Sequence, residues 1–310
     1  MAPQTAIPVQ LAPASTPHEH HRIPVPQPGV TARLISDLRE FFKVRVTGLV
    51  VITGWAGFYL GSMQSGISTL QRGLIDTLVG IGLVSAGAGA LNQCLERRSD
   101  AKMKRTADRP LAAGRYPLAL GIIAGLGALA LLTAFTYVAI YTPLKRVTTL
   151  ATFIGAFPGA MGPMLGWTAA RDQIEWPAVA LFAILFVWQF PHFMAIAWMY
   201  RDEYAKAGIK MLPVVQPDGW STFVEALFYA VLMIPVSLAP WRLGITGATY
   251  AFIAGPLGLL YLAYTIRFGK ILRTKDAAES RMVARDLLKV SVIYLPLLMT
   301  TLMLCAIAKR

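Results

Sequence analysis

The amino-acid sequence predicts an all-α polytopic membrane protein, and three observations carry that prediction. Only 15% of the 310 residues are charged and 55% are hydrophobic, whereas soluble domains carry about 25% charged residues. Apolar runs of roughly 20 residues, the length that spans a bilayer, recur along the chain. Lys and Arg gather in the short connectors between those runs: Arg33 to Arg45, Arg97 to Arg115, Arg201 to Lys210 and Arg267 to Arg285. Basic loops of this kind stay on the cytoplasmic side and orient the helices. The net charge of +13 therefore reflects membrane topology, and no nucleic-acid partner is expected.

Residues 1–40 read as a disordered cytoplasmic tail and residues 41–310 as the transmembrane domain. Pro3, Pro8, Pro13, Pro17, Pro24, Pro26 and Pro28 punctuate the tail, which lacks the apolar stretch of a secretory signal. His18, His20 and His21 sit there without partner ligands and read as solvated side chains. Spans follow near Val46–Met63, Leu74–Leu95, Leu118–Tyr141, Val147–Ala169, Trp176–Tyr200, Phe223–Ala239, Leu243–Ile266 and Leu287–Ala308. Cys94 and Cys305 match no metal spacing and read as packing thiols. The basic connector Phe268–Arg285 reads as a cytoplasmic anchor.

Chemistry concentrates where the second span ends, in LNQCLERRSDAKMKRTADRPL at Leu91–Leu111. Asn92, Glu96 and Asp100 repeat every four residues, which stacks them on one face of a helix. Arg105 and Arg109 keep the same repeat one or two turns further on. Mg²⁺ takes amide and carboxylate oxygens and shares them with a substrate's phosphates, and arginine forks onto phosphate. The pattern points to a diphosphate held by Mg²⁺ at a membrane surface. A second polar cluster closes the span ending at Tyr200, where Asp202 and Glu203 stand between Arg201 and Lys206. Inside that span, Pro191 and His192 interrupt an apolar stretch; a proline kinks a helix, and an ionisable group within a membrane marks a functional site by default. Two acidic shelves flanked by basic residues suggest a two-metal clamp that ionises an allylic diphosphate, with apolar spans keeping water from the cation.

These residues carry a resemblance to a family. The run from Asn92 through Glu96, Asp100, Met103, Arg105, Thr106 and Arg109 to Pro110–Leu111 resembles the first signature of the UbiA-type intramembrane prenyltransferases. YTPLKR at Tyr141–Arg146, GAFPGAMGPMLGW at Gly155–Trp167, WQFPHF at Trp188–Phe193, YRDEYAKAGIKMLPVV at Tyr200–Val215 and ARDLLKVSVIYLPLL at Ala284–Leu298 extend it. Only the N-terminal tail lies outside. The pairing of WQFPHF with GIKMLPVV is similar to the branch that farnesylates protohaem IX. The resemblance implies a UbiA-type bundle of about nine transmembrane helices in the cell (inner) membrane, with its active-site loops cytoplasmic. It also implies transfer of the farnesyl group of farnesyl diphosphate to a vinyl group of haem b. The product, haem O, would pass toward a haem A synthase or a terminal oxidase assembly. By position it gives Asn92, Glu96 and Asp100 to the first Mg²⁺ and Asp202 and Glu203 to a second. Lys104, Arg105 and Arg109 would bind the diphosphate, joined by Lys145 and Arg146, and His192 would contact haem as axial ligand or propionate partner. Gly155, Gly159 and Gly162, with Pro158 and Pro163, read either as close helix packing or as a slot for the tetrapyrrole.

Two other readings compete: a UbiA-type transferase for a quinone or chlorophyll precursor, and an ion-coupled transporter. A transporter places its charges near mid-membrane, whereas these acids stand at span ends. Topology adds one demand. Both shelves reach one membrane face only with an even number of crossings between them, and the three runs counted singly give an odd number. Tyr116–Tyr141 is therefore expected to form a compressed hairpin, turning near Leu129 to Ala134.

Overall fold

A computed structural model describes residues 29–70, 72–127, 151–274 and 276–307. Its helices are α1 (Val30–Phe41), α2 (Val44–Ser65), α3 (Arg72–Asp100), α4 (Leu118–Gly127), α5 (Ala151–Arg171), α6 (Trp176–Met199), the short α7 (Arg201–Lys206) and α8 (Leu212–Val215), α9 (Trp220–Arg242), α10 (Ala248–Phe268) and α11 (Ala277–Leu304). Six of them (α2, α3, α6, α9, α10 and α11) are long and apolar enough to cross a membrane. Their outer faces present Ile52, Phe228, Phe252 and Ile293, side chains that lipid accepts and water penalises. The chain is a multi-pass helical membrane protein.

Local chemistry sets the ends of these helices. Gly66, at φ 66°, closes α2 in the left-handed conformation that costs glycine least. Asp276 accepts the Ala278 N–H at 2.8 Å and caps α11. Where Leu243–Ile266 was expected as one span, α10 begins only at Ala248. Residues 243–247 are drawn instead to the C-terminus: Ile307 N–H donates to the Ile245 carbonyl at 2.9 Å, and Thr246 bridges Ala306. The stretch expected as tail is helical from Val30, because Asp37 and Phe41 are buried anchors. Arg115 grips Asp37 at 2.6 Å, and Phe41 packs with Ala90, Cys94 and Leu111. Residues 1–28 lie outside the described residues.

The long helices alternate in direction, which gives the bundle two ends. At one end, Gln64 of α2 donates to the Ile307 carbonyl at 2.9 Å, and Arg171 of α5 donates to the Gln64 carbonyl at 3.1 Å. The other end gathers the start of α2, the end of α3, the loop 101–117, α7 and the start of α11. Helix α4 starts at this polar end and α5 runs away from it. The second arm of the expected hairpin, with its turn, lies outside the described residues.

The small residues of the Gly155–Trp167 stretch serve packing. A Cβ on Gly166 would strike the Gly54 carbonyl, and one on Gly57 would strike Pro163, so α2 and α5 touch backbone to backbone. A Cβ on Gly159 would lie 2.5 Å from Gln189 Oε1 and one on Gly162 2.6 Å from Thr53 Oγ1. At Gly159 and Gly162 the space a tetrapyrrole slot would need is filled by neighbouring side chains.

Candidate active site

Helix α3 runs to Asp100 and carries the expected ladder on one face. Asn92, Glu96 and Asp100 are all buried, Asp100 to 1% exposure. Asn92 Nδ2 donates to Glu96 Oε2 at 2.8 Å. Burial of two carboxylates is costly unless cations or donors face them, and the cations come from an unexpected direction. The helix does not continue to Arg105 and Arg109. Residues 101–117 instead fold back in successive turns, anchored by buried Met103, Thr106 and Leu111, with Thr106 Oγ1 donating to the Asp100 carbonyl at 3.0 Å. A continued helix would carry Arg109 about 13 Å past Asp100. The turns bring its guanidinium to 2.8 Å from Asp100 Oδ2.

The same loop meets the second cluster. Arg105 N–H donates to Glu203 Oε2 at 3.3 Å, its guanidinium donates to Tyr204 Oη at 3.2 Å, and it lies 5.0 Å from the centre of the Tyr200 ring. Burial pushes the Tyr204 hydroxyl up from its usual range, so it keeps its proton. Both polar clusters thus stand at one end of the bundle, as the even-crossing argument requires.

Within the Asp202–Glu203 pair the two side chains diverge. Glu203 faces Arg105, while Asp202 is 72% exposed beside Arg201 at 3.9 Å. The structure does not bring Asp202 to the others. Lys104 is exposed at the rim. Lys145 and Arg146 lie outside the described residues. His192 stands within α6, Nδ1 2.8 Å from Ser291 Oγ of α11.

One site residue was hidden in the sequence. Lys43 joins α1 to α2 in a left-handed conformation, φ 46° and ψ 48°, a strained choice for a side chain other than glycine. Gln93 Nε2 holds this corner by donating to the carbonyls of Glu40 at 2.8 Å and Phe41 at 3.0 Å. The Lys43 stem then runs against Gly89, where an added Cβ would sit 3.4 Å from Lys43 Cδ. Gly89 shares its face with Asn92, Glu96 and Asp100 by helical spacing, so the lysine lies along the foot of the ladder. Burial and the neighbouring Arg109 push its amine down to about 8, against the opposing pull of Asp100 and Glu40. Its only sequence signal was a basic residue at a span boundary, which reads as ordinary anchoring.

Among the described residues no three His, Cys, Asp or Glu side chains come together as a metal cluster. Mg²⁺ does not need such a cluster, because it binds through one or two carboxylates, waters and substrate phosphates. Glu96 and Asp100, with the Asn92 amide, are oxygen donors of that kind, so the ladder fits Mg²⁺ held jointly with a diphosphate.

Comparison with known proteins gives the family and the fold. Residues 50–289 match the UbiA prenyltransferase family. The chain is 46% identical to a protein named protoheme IX farnesyltransferase from Koribacter versatilis, over 90% of this chain and 96% of the relative. It is 41% identical to one of the same name from Solibacter usitatus, over 84% and 96%. A structure of digeranylgeranylglyceryl phosphate synthase aligns with TM-score 0.66 at 19% identity, covering 89% of this chain and 99% of that one. A UbiA homolog from Archaeoglobus fulgidus, solved with GPP and Mg²⁺, aligns with TM-score 0.52 at 12% identity, covering 86% and 99%. At these identities the two structures establish the fold.

Proposed function

The chain belongs to the UbiA prenyltransferase family, and on that premise we propose that it transfers the farnesyl group of farnesyl diphosphate to a vinyl group of haem b, giving haem O. One observation carries the reading: Arg109–Asp100 and Arg105–Glu203 draw two polar clusters from separate helices onto one spot at the end of an apolar bundle. An isoprenoid diphosphate has this same division, a charged head and a hydrocarbon tail. The shared name of the relatives supports haem b as acceptor over a quinone precursor.

Ionisation breaks the bond from the farnesyl carbon to oxygen, and the electron pair leaves with the diphosphate. Arg105, Arg109 and Lys43 face the place where that charge grows, and they are held there before the substrate arrives. Tyr204, still protonated, can donate to a phosphate oxygen. Asn92, Glu96 and Asp100 would hold Mg²⁺, with Glu203 available from the second cluster, and the metal when bound would supply further charge neutralisation to the leaving group. The surrounding helices exclude water from the allylic cation. His192 is the contact for haem b. Lys145 and Arg146 would add to the phosphate site; Lys104, exposed at the rim, would act only by attracting the diphosphate, and Asp202, exposed beside Arg201, would take no direct part.

The polar end would face the cytoplasm from the cell (inner) membrane, and haem O would pass to a haem A synthase or terminal oxidase assembly. Purified protein given haem b, farnesyl diphosphate and Mg²⁺ should form farnesylated haem, and chelation should stop it until Mg²⁺ is restored. Prenylation of a quinone precursor but not of haem b would reject this reading. A single cysteine at Lys206, in a chain lacking Cys94 and Cys305, should label from the cytoplasmic side.

A further inference from the structure

We propose that Ser291 fixes the proton of His192 on Nδ1, which makes His192 the axial ligand of the haem b iron and not a partner for a propionate. The inference rests on haem b being the acceptor.

A serine hydroxyl has one proton to give, while its oxygen can accept. Ser291 Oγ lies 2.7 Å from the Leu288 carbonyl of its own helix and 2.8 Å from His192 Nδ1. The carbonyl can only accept, so the hydroxyl proton goes there. Ser291 Oγ then accepts, and Nδ1–H of His192 donates. A neutral imidazole carries a single N–H, which leaves Nε2 with a bare lone pair. Among the described residues Nε2 has no hydrogen-bond partner, so no protein group holds a proton there.

The ring is also held in its plane. Trp188 stacks on it with centroids 4.9 Å apart and planes at 25°. The Trp188 indole N–H donates to the Ser291 carbonyl at 2.8 Å, and Tyr261 Oη donates to the Trp188 carbonyl at 3.1 Å. Ser291 therefore fastens both rings, one by its side chain and the other by its backbone. Turning the imidazole over would put a carbon opposite Ser291 Oγ and lose the bond. A bare, oriented Nε2 is a metal donor; it offers nothing to a carboxylate, which needs a hydrogen-bond donor. Histidines that ligate metals commonly give their other N–H to such an outer partner. His192 precedes the end of α6 at Met199 by seven residues, roughly 10 Å of helix rise, which would place the iron inside the bundle below the diphosphate end.

The test is a titration of the purified full-length protein with haem b, read by absorption, electron paramagnetic resonance and resonance Raman. Wild type should give a histidine-ligated spectrum. His192→Gly should lose it and regain it with added imidazole. Ser291→Ala keeps the backbone carbonyl that Trp188 uses. It should weaken haem binding about tenfold, the lower end for an outer-shell partner, and shift the iron–nitrogen stretch, while Ser291→Thr restores both. Farnesyl diphosphate binding should be unchanged in all three variants. An unaltered spectrum in His192→Gly, or an unaltered affinity and iron–nitrogen stretch in Ser291→Ala, overturns the inference; the serine variant decides if the glycine variant misfolds. A transfer assay on the same preparations separates the two claims. Histidine-ligated haem without farnesylated product rejects the proposed reaction, whereas product formation with an unaltered His192→Gly spectrum rejects the ligation alone.

Discussion

Two arginine–carboxylate pairs, one at each end of the bundle, show how differently the same chemistry can be used. At the stapled end Arg171 is complete. It meets both oxygens of Glu175 at 2.8 Å and donates to the Gln64 carbonyl and Ser65 Oγ at 3.1 Å, and Trp167 donates to Glu175 at 3.0 Å. At the polar end Arg109 makes one short contact with Asp100; its Nε lies 3.4 Å from Glu40 and is buried without a hydrogen bond. Lys43 and Arg105 crowd the same place. Structure alone explains Arg171, because every donor direction it uses ends on protein. Arg109 pairs with buried Asp100 yet has cations for neighbours and an unused Nε, and an incoming anion resolves that conflict.

The largest effect should come from the ladder. Asp100→Asn keeps the shape and removes a charge, and turnover should fall by about 10²–10³-fold, the scale of a lost preorganised electrostatic contact, with thermal unfolding little changed. Near-normal turnover would erase the distinction between the two ends. Next come the arginines themselves. Arg109→Gln should lower kcat/KM for farnesyl diphosphate about 100-fold, and by stripping buried Asp100 of its cation it should also cost about 3–5 kcal/mol of stability. Arg171→Gln should leave turnover of the folded protein intact and cost about 1–3 kcal/mol of stability, since Glu175 and the Gln64 carbonyl lose their donor. Lys43→Met should raise KM for farnesyl diphosphate about tenfold, as loss of one charge-assisted phosphate contact does. The smallest contrast is the most local: Glu203→Gln should reduce turnover measurably, and Asp202→Asn should stay within about twofold, because exposed charges contribute little. Equal losses from both would place Asp202 in the site after all.

These contrasts follow what the sequence could and could not tell. Asn92, Glu96 and Asp100 were legible because a helix converts a repeat of four directly into a face. The placement of Arg109 was not, since a spacing of four recurs from Arg105 to Arg109 while the helix ends at Asp100 and the chain turns back. Nothing local announces that reversal; it is set by Met103, Thr106 and Leu111 finding burial. Lys43 was hidden for a different reason. Basic residues at span boundaries anchor membrane proteins generally, and only the Gln93 clamp and the absent side chain at Gly89 reveal where this one goes. Asp202 and Glu203 are adjacent, so composition could not separate them, while the turn into α7 sends them in different directions. The fold class needed only composition and run length, yet the start of α10 was missed because its neighbour, Ile307, is 62 residues away from Ile245 in the chain.

The staple of Gln64, Ile245 and Ile307 has a mechanical consequence. Helices fastened at one end behave like tines, and displacement grows with distance from the fastening. A tilt of about 5° at the staple becomes roughly 3–4 Å at the far tip of a helix the length of α11, about 42 Å. Spreading the tips that far leaves the core near the fastening almost undisturbed. A motion that released the contacts at the polar end, such as Trp198 to Ser280 at 2.7 Å, would therefore open the charged mouth while the root stays closed.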